Sequence, residues 1–383
     1  MTITRKKIFI VCDSSRSLLD FRGRLIEKMQ QNHQVYVFTP KIEQESVRNR
    51  LKEMGVVTHE SKLNGSNVSI LSDLKFILSL YRLIKKIKPD IFFPYTFKPV
   101  IYGSFLAKLC KVNLIAPMLT GLGYNFTDDS SSNKIVVKIT RFLLKLSLKP
   151  NSRLNIIFQN KDDSKRLIDL KILNKQHQVY VVNGSGVDLN HYNYSKPSIS
   201  PITFLMVSRL INAKGIKEYY DAAKLIQNRF PNTVFKLIGP YDSNIDAISM
   251  DLYKKIISGE TIQYLGQVDD VRPDIENASV IVLPSYYGEG VPRCVLEGMA
   301  MGRAVITSDS VGCRETINPK PEKANGFLIP VRDATALATK MEYFINNRDD
   351  IINYGNKGRE FAKEKFDVNL VNTELFKIMR LES

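Results

Sequence analysis

The sequence predicts an α/β protein built from two doubly wound domains, each a parallel sheet covered by helices. Three observations carry this. Apolar runs of strand length alternate with helical stretches, the alternation restarts at Thr203, and 383 residues exceed what one ordinary core supports.

The elements follow in order. Lys6 to Cys12 (KKIFIVC) is a first buried strand ending in a polar loop, and Leu18 to Gln30 reads as helix, with Arg22 and Gly23 where a first strand-to-helix loop approaches a ligand. HQVYVFTP, VVTHE and DIFFPYT continue as strands, with helices between them at about Glu43 to Met54 and Leu71 to Lys88. NLIAPML is another strand and runs into TGLGYNF. Asn133 to Lys149 is an amphipathic helix: Lys134, Lys138, Arg141, Lys145 and Lys149 lie along one face, with apolar residues on much of the rest. Such a helix can lie on an anionic membrane, or it can pack its apolar side on its own sheet and leave the lysines in water. NIIFQN and QVYVVNGSGVDL close the first half, and SKPSISPI at Ser195 to Ile202 reads as the linker.

The second half opens with the strand TFLMVSRL, which leads to Arg209 and, five residues on, Lys214. Two cations at a strand-to-helix junction can hold a diphosphate or be solvated surface charges. TVFKLIGP ends at Gly239, and TIQYLGQV carries Gln267 and Val268 just past its strand. ASVIVLP, a continuous apolar run suited to a strand buried on both faces, feeds the loop SYYGEG and a helix from Arg293 to Met301. Pro292 fits its first turn. Glu289 lies in the loop and Glu297 eight residues later, so both acids fall where open α/β sheets bind ligands. AVITSD and NGFLIP are further strands, Thr335 to Asn346 is a helix, and Gly358 to Leu381 is helical in pattern.

Charge is uneven. Met1 to Ser195 holds 31 basic and 15 acidic residues and the remainder 24 of each, so the first half carries the whole +16 and attracts polyanions such as a phosphorylated substrate, anionic lipid or nucleic acid. No zinc spacing, helix-turn-helix pattern or RNA-binding aromatic motif supports nucleic acid. Four separated cysteines read as reduced thiols of a cytosolic protein, and neither a leader peptide nor an eighteen-residue apolar run is evident.

The pair Glu289 and Glu297, the run GEGVPRCVLEGMAMGRAVI, and VSRL followed by KG at Ser208 to Gly215 resemble glycosyltransferase family 4. The resemblance covers the second half in order, with VNGSGVDL just upstream. In the first half LLDFRG and TGLGYNF are similar to the subgroup that extends capsule, O-antigen and other lipid-linked bacterial glycans. It implies the GT-B fold: two facing Rossmann-like domains with a deep cleft, 1–195 for the acceptor and 196–365 for the nucleotide-sugar donor, with a helix at about 366–383 crossing back to the first.

It also implies roles. Arg209 and Lys214 would grip the donor diphosphate, Glu289 the transferred sugar and Glu297 the ribose, with the Gly290, Val291, Pro292 and Arg293 backbone nearby and Gly239, Gln267 and Val268 bordering the nucleotide. A His common in relatives is replaced by Thr120, which leaves Thr120, Gly121, Gly123, Tyr124 and Asn125, with Arg22 and Gly23, for the acceptor side. The implied reaction is retaining transfer from a UDP-linked or other nucleotide-diphosphate sugar to a polyprenyl-diphosphate-linked saccharide at the inner face of the cytoplasmic membrane, with no cofactor and no metal. The adjacent acids at Asp128, Asp162, Asp269 and Asp349 are not the Asp-x-Asp pair of metal-dependent sugar transferases. A nucleotide-sugar epimerase or a soluble glucan or sucrose-type synthase would share the fold.

Overall fold

The computed structural model describes residues 4–61, 70–123, 126, 134–241 and 246–381, the side chains of Ile70, Leu71 and Lys134 excepted. The chain divides into two compact units, Met1–Ser185 with Leu370–Ser383, and Gly186–Asn369. The division precedes the Ser/Pro-rich stretch taken as the linker, because Val187 and Tyr192 are already buried in the second unit's core.

In the first unit β1 (Lys7–Val11), β2 (Gln34–Pro40), β3 (Val57–Ser61), β4 (Ile91–Pro94) and β5 (Leu114–Ile115) form a parallel sheet in the order β3-β2-β1-β4-β5. Bridges Tyr95–Met118 and Ile115–Leu154 extend it to β6 (Met118–Leu119), β7 (Asn155–Phe158) and β8 (Gln178–Val181). Alternation along β1 sends Ile8 and Ile10 into one core and Phe9 and Val11 into the other, as a strand covered on both faces requires. Leu25, Ile26 and Met29 of the helix Gly23–Asn32 cover the first face together with Val371, Leu375 and Met379 from the end of the chain. Phe76, Leu80 and Ile84 of the helix Ile70–Ile87 cover the second, with Leu144 and Leu148 from the Lys134–Ser147 region.

Three local expectations are corrected. The helix read over Leu18 to Gln30 is two, Ser17–Asp20 and Gly23–Asn32, because Arg22 leaves helical geometry (φ −129°, ψ 1°) and turns its side chain inward. The pattern over Gly358 to Leu381 is likewise broken: Asp367 is extended (ψ 128°) and bridges Val187, and a new helix runs Val368–Ile378. Pro292 caps its helix with an extended ψ of 117° instead of lying within the first turn.

The helix Lys161–Asp169 begins at Asn160, whose side chain accepts from the Asp163 backbone N–H at 2.7 Å and donates to the Asp163 carboxyl at 3.0 Å. Burial outweighs that bond and pushes the Asp163 carboxyl up to about 7. A carboxyl raised in the folded state favours folding while protonated; that contribution is present below the ordinary Asp range and is lost as pH rises through about 7. Asp163→Asn is therefore expected to raise the melting temperature by a few degrees at pH 8 and by less at pH 5, as calorimetry at the two pH values would read.

The second unit has one parallel sheet, ordered β11-β10-β9-β12-β13-β14, of β9 (Thr203–Val207), β10 (Val234–Ile238), β11 (Gln263–Tyr264), β12 (Val280–Leu283), β13 (Ala304–Ser308) and β14 (Gly326–Ile329). All of β12 and β13 is buried. The helix Arg293–Ala300 lies close on β12, since a Cβ at Gly298 would stand 2.3 Å from Ile281.

Candidate active site

In the second unit the chain passes from β9 outward to β10 and β11, then returns to β12 on the other side of β9. That reversal opens a crevice at the carboxyl ends of β9 and β12, the place where doubly wound sheets bind ligands. Arg209 and the short helix Asn212–Lys214 follow β9, and Ser285 to Glu289 follow β12.

The two loops are locked together through their backbones. Gly215 has φ 78°, and a Cβ there would lie 2.3 Å from the Pro284 carbonyl oxygen, so only glycine lets the β9 loop approach. The Tyr286 N–H donates to the Ala213 carbonyl at 2.8 Å. Lys214 is thereby brought against Glu289 in an ion pair whose side chains are 15% and 12% exposed. The Ser285 hydroxyl lies 3.0 Å from Glu289 Oε1, and the Lys214 ammonium is 5.2 Å from the centre of the Tyr287 ring. Burial alone would lower Lys214, but the carboxylate beside it outweighs that and the ammonium is held above the usual lysine range. Arg209 is exposed and forms no ion pair among the described residues.

Glu297 faces the same helix start. Its Oε1 accepts from Arg293 Nε at 2.6 Å, one helical turn away, and from the Tyr192 hydroxyl at 2.8 Å. Arg293 is raised above its ordinary value because Glu297 outweighs burial. Burial pushes the thiol of Cys294, next in the helix, up to about 12. Gly239 (φ 145°) ends β10 pressed onto β9: a Cβ would stand 1.9 Å from the Ser208 carbonyl oxygen. The Tyr264 hydroxyl donates to its carbonyl at 2.8 Å, while Gln267 is exposed and Val268 packs on the core.

Three supports of this site went unread in the sequence. Ser310 donates to the Ser285 carbonyl at 2.7 Å, and Ser308 bonds the same oxygen. Gly312 (φ 79°) lets the loop after β13 press on the acid loop, where a Cβ would be 2.4 Å from the Glu289 carbonyl oxygen. Tyr192 is the third. Only the glycine in SDSVGC was a local signal, and it reads equally as an ordinary turn.

The structure brings together Lys214 with Glu289 and Arg293 with Glu297. In the first unit it brings Arg22 onto the strand that leads into Thr120. Arg22 is only 2% exposed, its guanidinium 5.6 Å from the Tyr95 ring centre and bonded to the Met118 sulfur, two residues before Thr120. Gly23 opens its helix, and Thr120, Gly121 and Gly123 follow β6, while Tyr124 and Asn125 lie outside the described residues.

The helix Lys134–Ser147 buries Val137, Ser147 and Leu144, and exposes Ile135, Val136, Ile139, Phe142 and Leu146, with Ile139 53% and Phe142 66% exposed. Lys138 and Lys145, with Lys149 just beyond, flank that stripe, and the Arg141 guanidinium is 5.5 Å from the Phe126 ring centre. The packed face and the apolar stripe are thus different faces. No helix among the described residues is long and apolar enough to cross a membrane, and no group of three or more His, Cys, Asp or Glu side chains among them is disposed to hold a metal ion.

Comparison with known proteins gives two family matches. Residues 201–347 match the family "Glycosyl transferases group 1", and residues 8–160 match "Glycosyl transferase 4-like". The chain is 23% identical to an N,N'-diacetylbacillosaminyl-diphospho-undecaprenol alpha-1,3-N-acetylgalactosaminyltransferase of Campylobacter jejuni, covering 97% of this chain and 98% of that protein. It is 22% identical to the capsular polysaccharide biosynthesis glycosyltransferase CapM of Staphylococcus aureus, covering 97% and 96%. A UDP-Gal:alpha-D-GlcNAc-diphosphoundecaprenol alpha-1,3-galactosyltransferase of Escherichia coli is 28% identical over 70% of this chain and 69% of that protein. Among solved structures, sucrose-phosphate synthase from Thermosynechococcus elongatus superimposes with a TM-score of 0.78 at 19% identity, covering 98% of each chain. Anabaena HepE in complex with UDP and glucose does so with 0.75 at 15%, covering 98% of this chain and 100% of that one. The fold is that of the GT-B glycosyltransferases.

Proposed function

Because this chain is a glycosyltransferase, 4-like in its first half and group 1 in its second, we propose that it moves a sugar from a nucleotide diphosphate to a saccharide carried on a polyprenyl diphosphate. The product belongs to a capsule, O-antigen or related surface polysaccharide, and anomeric configuration is retained. The observation that carries this reading is Lys214 paired with Glu289 at the switch point of the second sheet. The Campylobacter and Escherichia relatives, whose names specify undecaprenol-linked diphosphates, support the acceptor class.

The chemistry follows from charge. Breaking the anomeric C–O bond leaves a nucleoside diphosphate with new negative charge, which Lys214, the exposed Arg209 and the backbone N–H groups of Gly290, Val291 and Arg293 are suited to stabilise. These groups make a metal unnecessary in this reading, and no cofactor is invoked. Glu289 accepts hydrogen bonds from the sugar hydroxyls while holding Lys214. Glu297, fixed by Arg293 and Tyr192, keeps lone pairs for the ribose hydroxyls. Gly239, Gln267 and Val268 border the nucleotide, and Arg22, Gly23, Thr120, Gly121 and Gly123 serve the acceptor.

The first half's charge and the Lys134–Ser147 helix suit the anionic inner face of the cytoplasmic membrane. Changing Lys138, Arg141 and Lys145 to Glu is expected to cut sedimentation with phosphatidylglycerol vesicles several-fold and leave UDP binding unchanged; unaltered sedimentation contradicts the membrane role. Mass spectrometry of the protein incubated with a panel of nucleotide sugars and prenyl-diphosphate saccharides tests the reaction itself. A mass increase of one sugar on the lipid-linked acceptor is expected, and nucleotide-sugar turnover without any such product would point to an epimerase or hydrolase instead.

A further inference from the structure

The first unit has a switch point of its own. Its strand order reverses between β1 and β4, and the register of Val11 on Pro94 brings Asp13 and Thr96 to the carboxyl edge of the sheet. Thr96 holds φ 69°, a left-handed conformation costly for a β-branched residue, and its hydroxyl donates to the Tyr95 carbonyl oxygen. Burial pushes the Asp13 carboxyl above the usual range despite the nearby Lys98. Lys98 does not neutralise it. The Lys98 ammonium lies 2.9 Å from Asp73 Oδ1, and Asp73 Oδ2 accepts the Tyr102 hydroxyl at 2.9 Å.

Asp13 forms no ion pair among the described residues. The comparison with the second sheet is direct: there the acid beyond the switch-point strand, Glu289, is held by Lys214, whereas here the cation within reach is taken by a different acid. A costly, partly buried carboxylate without a cation, at a ligand-binding edge, keeps its lone pairs for a donor that arrives from outside.

We propose that Asp13 accepts a hydrogen bond from a hydroxyl of the acceptor saccharide. The inference rests on the acceptor role proposed above for the first half and adds a charged residue to it. The test is calorimetric titration of the full chain, wild type, Asp13→Ala and Asp13→Asn, with UDP and with a water-soluble farnesyl-diphosphate-linked N-acetylhexosamine disaccharide. Both variants are expected to bind the disaccharide about tenfold or more weakly, since a hydrogen bond to a charged group is lost. UDP affinity is expected to be unchanged, and the melting temperature equal to or above that of wild type. Disaccharide affinity within about twofold of wild type in both variants overturns the assignment, as does a loss that comes with weaker UDP binding and a lower melting temperature. A wild-type protein that binds UDP but not the disaccharide overturns the acceptor class and this inference together, an outcome distinct from either of those.

Discussion

Lys214→Ala is expected to lower kcat/KM for transfer by about 10²- to 10³-fold, the usual loss when one group that stabilises developing negative charge is removed. The effect follows from position. Lys214 is set at the crevice by Gly215 and the Tyr286 to Ala213 backbone bond, so no neighbouring cation can take its place without moving β9 or β12. The same change has a second consequence, on stability. It leaves Glu289 at 12% exposure without its counter-charge, and breaking a largely buried pair from one side costs about 3 kcal/mol. Steady-state kinetics at saturating donor, read beside a melting curve, separates the two: the folded variant is expected to bind UDP weakly and turn over slowly. Titration of Lys214 itself contributes nothing near neutral pH. Its folded value is raised, so its stabilisation is complete below the ordinary lysine range and is lost only as pH climbs through the raised value.

Glu289→Gln is expected to lower kcat by about 10²-fold with a smaller change in UDP affinity, because the amide keeps the shape and the Ser285 contact but removes a charged acceptor from the sugar and the counter-charge from Lys214. The expected signature is an unequal one. UDP binding, carried by Lys214 and Arg209, persists, while sugar transfer fails. Competition between UDP and the intact nucleotide sugar would read this directly, and full activity in the variant would remove Glu289 from the site.

The strand, loop and helix around these residues were legible because each is locally encoded: ASVIVLP is apolar throughout, and Gly288, Gly290 and Pro292 mark the turn. What was not legible was pairing. Lys214 and Glu289 stand 75 residues apart, and Tyr192 and Glu297 105 apart, so their contacts depend on which strands are neighbours, a property of topology that no local pattern records. The loop of Ser310 and Gly312 is silent for the same reason. Asp13 looked like any acid after a strand until the order of the first sheet placed it beside Thr96. The helix Lys134–Ser147 shows a different limit: periodicity revealed that it is apolar on more than one face, but not which face the sheet would cover. At Arg22 and Asp367 a helical pattern continued through real breaks, because an inward-turned arginine and a backbone bridge to Val187 overrode local preference.

The central claim is that the second sheet's switch point holds a nucleotide sugar for retaining transfer to a prenyl-diphosphate saccharide. Its most direct test is the one-bond C1–H1 coupling, by nuclear magnetic resonance, of the newly joined sugar in the product made from an α-linked UDP-sugar and a farnesyl-diphosphate saccharide. The account predicts an α-linked product formed together with UDP; a β-linked product, or release of UDP with no new glycosidic bond, would contradict it.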